Sequence, residues 1–142
     1  MDEVGSLKVV QGIYAAFGQG NIPAVLSRLS EDVEWWVAGS SDIPYAGMRR
    51  GRRAVEEWFT VLVKSAEIQA FEPKEFITQG DSVVVIGHER LKTKPVGRVL
   101  GRVVSHEWVQ VFTVRDGQVS RFREFLDTAA LASAFRTIPS GA

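Results

Sequence analysis

Residues 99–126 read VLGRVVSHEWVQVFTVRDGQVSRFREFL. The stretch is dense in β-branched and aromatic residues on both sides of Asp116-Gly117, a dipeptide suited to a two-residue hairpin turn. Two long antiparallel strands are expected, Val99 to Arg115 and Gln118 to Leu126. Alternation puts His106, Trp108, Gln110 and Phe112 on one face of the first, and Phe122, Glu124 and Leu126 on one face of the second.

Upstream lie two more strands. Ile68 to Gln79 reads as an edge or interrupted strand because of Pro73, and Gly80-Asp81 turns the chain into Ser82 to Thr93. Lys94-Pro95-Val96-Gly97 then breaks the pattern. Nearer the N-terminus the period changes. Leu7, Val10, Tyr14 and Phe17 fall at spacings of three, four and three, which predicts a helix from Ser6 to Phe17 ended by Gly18 and Gly20. Asn21 can cap a short second helix containing Pro23, with Val25, Leu26 and Leu29 inward. Val33 to Val37 reads as a short strand with Val33, Trp35 and Val37 on one face, followed by a loop from Ala38 to Gly51. Val55, Trp58 or Phe59, and Leu62 mark a third helix from Arg53 to Ser65. Asp127 or Thr128 can cap a last one carrying Leu131 and Phe135. Helices first and then a strand meander predict one α+β domain over residues 1–142. In it a strongly curved, mostly antiparallel sheet wraps the N-terminal helices, and the natural ligand site is the apolar interior of the cone.

Composition narrows the function. With 142 residues the chain can bury roughly 70% of its unfolded surface, enough for a core and a pocket. It has no cysteine and only two histidines, which excludes disulfides, thiolate metal sites and a cysteine nucleophile and argues against a zinc enzyme. Seventeen basic residues balance seventeen acidic ones, so no general attraction to nucleic acid or anionic membrane is expected. The start, Met1-Asp2-Glu3-Val4-Gly5, lacks a signal peptide's positive region, and no apolar run approaches the ~20 residues of a membrane span. A cytoplasmic protein is the expectation. No glycine pattern matches a phosphate loop. Arg49-Arg50-Gly51-Arg52-Arg53 is the one basic cluster; it could attract an anionic group, or be neutralised on a solvated helix start by Glu56 and Glu57.

The residues resemble the SnoaL-like group of the nuclear transport factor 2-like superfamily, related to polyketide cyclases and ketosteroid isomerases. The resemblance spans nearly the whole chain. It rests on Tyr14-Ala15-Ala16-Phe17, Gly20-Asn21-Ile22, Glu31-Asp32-Val33-Glu34-Trp35, Pro44-Tyr45-Ala46-Gly47 with Arg50-Gly51, Gly80-Asp81-Ser82-Val83-Val84-Val85, Val114-Arg115-Asp116-Gly117, and Phe122-Arg123-Glu124-Phe125 with Asp127-Thr128-Ala129-Ala130. It implies a cone-shaped, cystatin-like α+β barrel, commonly a homodimer through the outer sheet face, without an organic cofactor. The fold hosts isomerases, cyclases, hydrolases, dehydratases, carriers and association modules, so the pocket must decide.

Aligned on the Asp116-Gly117 hairpin, the resemblance makes the faces bearing Gln110 and Glu124 the cavity-facing ones. Glu124 then lies among Trp108, Phe112, Phe122 and Leu126, where an apolar setting raises a carboxyl pKa towards neutrality. It is the first catalytic candidate; the alternative is an internal carboxylate paired with Arg90 or Gln110. The cyclase aspartate falls at Glu124, while the histidine common in the group falls at Gln110, which can orient an oxygen but not shuttle a proton. The ketosteroid isomerase site is not reproduced: its tyrosine, general base and protonated aspartate fall at Ile13, Val37 and Gln110. Tyr14 could donate to a ligand carbonyl, or pack its ring and bond the backbone. Trp35 is read as a pocket wall or core residue, and Asp127 as a helix cap or a second carboxylate at the mouth. Whether the face of His88 and Arg90 or that of Gly87 and Glu89 turns inward stays open, and His106 is placed at the rim or dimer interface. Together these imply a small hydrophobic, oxygen-bearing ligand, with Glu124, Gln110 and Tyr14 as the acting residues. The alternatives are a non-catalytic binding protein and a dimerisation module with a filled interior.

Overall fold

The computed structural model describes residues 2–94 and 100–136. Among them the elements run α1 (Glu3–Gly18), α2 (Ile22–Leu26), β1 (Leu29–Val37), β2 (Gly47–Arg50), α3 (Arg52–Ser65), β3 (Ala66–Gln79), β4 (Ser82–Thr93), β5 (Val103–Arg115), β6 (Gln118–Leu126) and α4 (Thr128–Phe135). The architecture is α+β, a curved and unclosed sheet in the order β2-β1-β6-β5-β4-β3, consistent with the expected cone. β1 runs parallel to β6, and the other neighbours are antiparallel. None of these helices is long and apolar enough to cross a membrane.

The hairpin forms as its sequence predicts, with Asp116 and Gly117 both at positive φ (52° and 77°). The core lies inside the curve. Val33, Trp35 and Val37 of β1, Val83 and Val85 of β4, and Trp108 and Phe112 of β5 all turn inward and are buried. They meet Val55, Trp58, Phe59 and Leu62 from α3. Gly87 on β4 faces Trp108 on β5, and a Cβ there would come within 2.3 Å of the indole; its missing side chain lets that ring lie across the strand. Pro73 is tolerated because β3 is an edge strand, and the register with β4 slips between Pro73 and Glu75.

Several elements differ from expectation. The deeply buried line of α1 is Val9, Val10, Ile13 and Ala16, whereas Leu7, Tyr14 and Phe17 are half-buried. The helix thus presents its Tyr14–Phe17 flank to β3 at the open end of the sheet, where Phe71 packs against both rings. β2 falls within the expected loop and exists because β1 offers it a pairing edge, Trp35 opposite Arg49. β5 begins at Val103, after Gly101 and Arg102. Val99 and the break at residues 95–97 lie outside the described residues.

The basic cluster does not pair with Glu56 or Glu57. Arg50 binds Glu34 of β1 at 3.0 Å, and Arg52 donates to the Leu29 carbonyl at 2.8 Å. Arg49 donates to the carbonyls of Pro44, Tyr45 and Ala46, so the cluster fastens the β1–β2 loop to the sheet.

Candidate functional site

Strand register builds the site. Gln110 of β5 stands directly opposite Glu124 of β6, and Trp35 of β1 opposite Phe122 of β6, all on the inner face. Opposed side chains on one sheet face lie within contact reach. The Gln110 Nε2 amide donates to Glu124 Oε2 at 2.6 Å, and the Tyr14 hydroxyl on α1 donates to Gln110 Oε1 at 2.6 Å. A hydrogen-bonded chain therefore leads from the helix across the interior to a buried carboxyl group. Trp35 stacks on Phe122 with ring centroids 3.8 Å apart and forms the neighbouring wall.

These groups border an internal cavity of about 50 Å3, together with Tyr45, Trp58, Phe59 and Glu89. Glu89 enters through a second cross-strand pair. It faces His106 between β4 and β5, and His106 Nε2 lies 3.0 Å from Glu89 Oε1. His106 Nδ1 lies 3.0 Å from the Glu107 carbonyl. Both ring nitrogens thus face acceptors, which calls for the doubly protonated imidazolium. Burial works to lower the His106 pKa, but the hydrogen bonds to Glu89 and the Glu107 carbonyl and the charges of Glu89 and Glu124 outweigh it and raise the value.

The electrostatics separate the groups. Loss of solvent, and then the Glu89 charge, push Glu124 up to about 8, against the opposing pull of the Gln110 hydrogen bond and the His106 charge. At neutral pH Glu124 mainly holds its proton. Gln110 occupies Oε2, and Oε1 accepts no side-chain hydrogen bond among the described residues. Burial and the Glu124 charge hold the Tyr14 phenol well above its ordinary range, so it stays a donor.

The SnoaL-like domain family matches residues 10–122, from α1 into β6. The chain belongs to that family. No curated protein matches it significantly. Among solved structures, this SnoaL-like protein is similar to a nuclear transport factor 2-like protein from Burkholderia xenovorans LB400, with 33% identity over 96% of this chain and 99% of the other and a TM-score of 0.84. A second, of unknown function, from Burkholderia pseudomallei K96243 has 26% identity over 94% and 98% of the two chains and a TM-score of 0.83. TerC, co-crystallised with polyporic acid, has 26% identity over 92% and 98% and a TM-score of 0.74.

Within the SnoaL-like cone, the structure brings Glu124, Gln110, Tyr14, Trp35, Phe112 and Phe122 to one cavity. It does not bring Trp108, Leu126 or Asp127 there. Trp108 is buried behind the wall, stacked on Phe71 at 4.8 Å, because Gly87 opens that position to it. Leu126 ends β6 half-buried, beyond the reach of the cavity. Asp127 is exposed and caps α4, accepting from the Ala130 amide at 3.0 Å, so it is not a carboxylate at the mouth. Arg90 points outward and donates to Gln69, leaving Gln110 as the partner of Glu124. His88 shares that outer face, near Ser105. His106 lies in the interior rather than at the rim.

Sequence reasoning missed Tyr45 as a cavity residue, left the inward turn of Glu89 open, and put His106 on the inner face but at the rim or dimer interface rather than buried beside Glu89. A signal for Glu89 exists: Val83, Val85, Gly87, Glu89 and Leu91 alternate as one set, and all are buried. It is masked because Val84 and Ile86 make the opposite face equally apolar. Tyr45 has no periodic signal, since it lies in an irregular loop and is fixed by Trp58 Nε1 donating to its carbonyl at 2.8 Å.

Proposed function

We propose that this SnoaL-like protein binds a small hydrophobic, oxygen-bearing molecule inside the cone and performs general acid/base chemistry on it, of the isomerase, cyclase, dehydratase or hydrolase type. The observation carrying this reading is the Tyr14–Gln110–Glu124 chain ending on a buried carboxyl group at the cavity wall. A carboxyl pKa near 8 suits proton transfer around neutral pH, since a general acid or base works best with a pKa close to the working pH. Gln110, oriented by Tyr14, holds the carboxyl in place. The co-crystallisation of TerC with polyporic acid supports an oxygen-bearing organic ligand.

A second reading, a non-catalytic module with a largely filled interior, draws on the cavity's size. About 50 Å3 is far below the roughly 300–1,000 Å3 of ordinary small-molecule sites. Larger hollows of about 370 and 490 Å3 lie outside, and Phe17 and Ile68 border both of them as well as the cavity. These two side chains are the proposed partition between the three spaces.

Native mass spectrometry of protein purified without denaturation, followed by extraction of any bound molecule, supplies the test compound. Turnover of that compound, lost in Glu124→Gln while binding survives, supports the enzyme. Recovery of no bound molecule supports the filled interior of the second reading, and binding without turnover in the unaltered protein supports a non-catalytic binding protein. We also propose self-association through the outer sheet face, where Trp36 and Phe125 pack edge to face at 5.3 Å and Phe125 is 41% exposed.

A further inference from the structure

Tyr45 is 2% exposed, and its hydroxyl has no hydrogen-bond partner among the described residues. A buried hydroxyl left unpaired is costly, and most such groups in folded proteins are paired. Tyr45 lines the same cavity as Glu89 and Glu124. Its phenol is held above its ordinary range by burial and then by the charges of Glu89 and Glu124, so it stays a donor. His106 engages only Oε1 of Glu89, at 3.0 Å, leaving Oε2 for another donor. The Tyr45 loop is itself tied down, by Trp58 Nε1 at 2.8 Å and by the Arg49 guanidinium. An unpaired hydroxyl on a fastened loop is a preorganised binding group, not a loose one.

We infer that Tyr45 and the His106-held Glu89 form a second polar pole of the cavity, which takes a hydroxyl group of the ligand: that hydroxyl donates to Glu89 Oε2 and accepts from the Tyr45 O–H. An alcohol or phenol suits this pole because it is donor and acceptor at once. The ligand class is thereby an apolar molecule carrying a hydroxyl in addition to whatever oxygen meets Glu124. Tyr45 and Glu89 are binding residues, and His106 is a positioning residue that fixes the Glu89 carboxylate. This rests on the ligand-binding reading of the cavity proposed above.

Phenol and toluene, alike in shape and different in the hydroxyl, serve as probes by ligand-detected NMR titration. Both are titrated into the intact protein and into Phe17→Ala, which opens the partition. An approximately tenfold preference for phenol is expected, the worth of one well-made hydrogen bond. Tyr45→Phe and Glu89→Gln should each bring the ratio close to one without changing toluene affinity; a preference that persists in Tyr45→Phe overturns the second pole. Equal binding of the two probes to the intact protein overturns the second pole while leaving the ligand-binding reading standing. Binding of neither probe, even by Phe17→Ala, overturns both. Thermal unfolding gives an independent check should Glu89→Gln fail to fold. Tyr45→Phe removes only an unpaired hydroxyl, so its Tm should equal or exceed that of the intact protein; a fall of about 5 °C or more reveals an internal partner and overturns the inference.

Discussion

Gln110 and Glu124 face each other across the β5–β6 ladder, and the amide of one donates to the carboxyl of the other at 2.6 Å. The partner is neutral. A salt bridge from an arginine would hold Glu124 ionised, whereas a single amide leaves desolvation in command and the proton in place up to about pH 8. The same pairing leaves Glu124 a desolvated carboxyl group that mainly holds its proton at neutral pH.

Replacing Glu124 with glutamine keeps the volume and removes the exchangeable proton. Turnover of the extracted compound should fall by about two to four orders of magnitude, the usual worth of a general acid or base. Binding of the compound, followed by calorimetry, should change little.

Stability should fall as pH rises. The folded-state pKa of Glu124 is raised from 4.5 to about 8, so between these values the folded protein binds a proton that the unfolded chain has released. Stability from this group is full below about pH 4.5 and declines by at most about 1.4 kcal/mol per pH unit on the way to pH 8. His106, also raised, adds a loss of the same sign above its ordinary value of 6.5. Urea unfolding at a series of pH values should show this slope in the natural protein and a shallower one in Glu124→Gln; an equal slope contradicts it.

Tyr14→Phe keeps the aromatic packing against Trp108 and Phe112 and deletes the donor to Gln110 Oε1. The orphaned acceptor should cost about 1–2 kcal/mol of stability. Because Tyr14 acts through Gln110, kcat should drop by about tenfold with KM less affected, whereas a purely structural tyrosine would leave kcat of the folded protein unchanged.

Gly87→Ala forces a methyl group into the Trp108 indole and the Glu72 carbonyl, at 2.3 and 2.5 Å. Overpacking of this kind should cost about 1–3 kcal/mol, read as a lower urea midpoint with an unchanged m-value.

Phe125→Arg places a charge on the outer face of β6 without touching the cavity. If that face joins two copies, light scattering should show a shift from dimer to monomer with the unfolding midpoint of the monomer preserved. An unchanged mass in both proteins removes the outer face from consideration.

Where one face of an element is apolar and the other polar, the sequence suffices. β6 follows its predicted limits, the Asp116-Gly117 turn closes as expected, and Val33, Trp35 and Val37 go inward because alternation leaves them no other choice. Alternation groups Gln110 with Trp108 and Phe112, and Glu124 with Phe122, but the inward direction of these faces was what the family resemblance implied; given that direction and the hairpin register, the meeting of Gln110 and Glu124 is legible. Elsewhere local pattern is silent. Residues 83–86 are apolar on both faces, so nothing local says whether His88 or Glu89 turns inward, and that choice fixes the entire polar end of the cavity. The inner face of β4 was decided by its pairing with β5, which sets Glu89 against His106 and Gly87 against Trp108. The Tyr45 loop depends on contacts from α3 and Arg49, which are distant in sequence or irregular in conformation. Sequence by itself determined the four long strands of the meander, the hairpin and the presence of a carboxyl group at position 124, because those are properties of neighbours along the chain. Only the tertiary structure decided which polar groups share one desolvated space, because solvent exclusion and cross-strand register are properties of the assembled sheet.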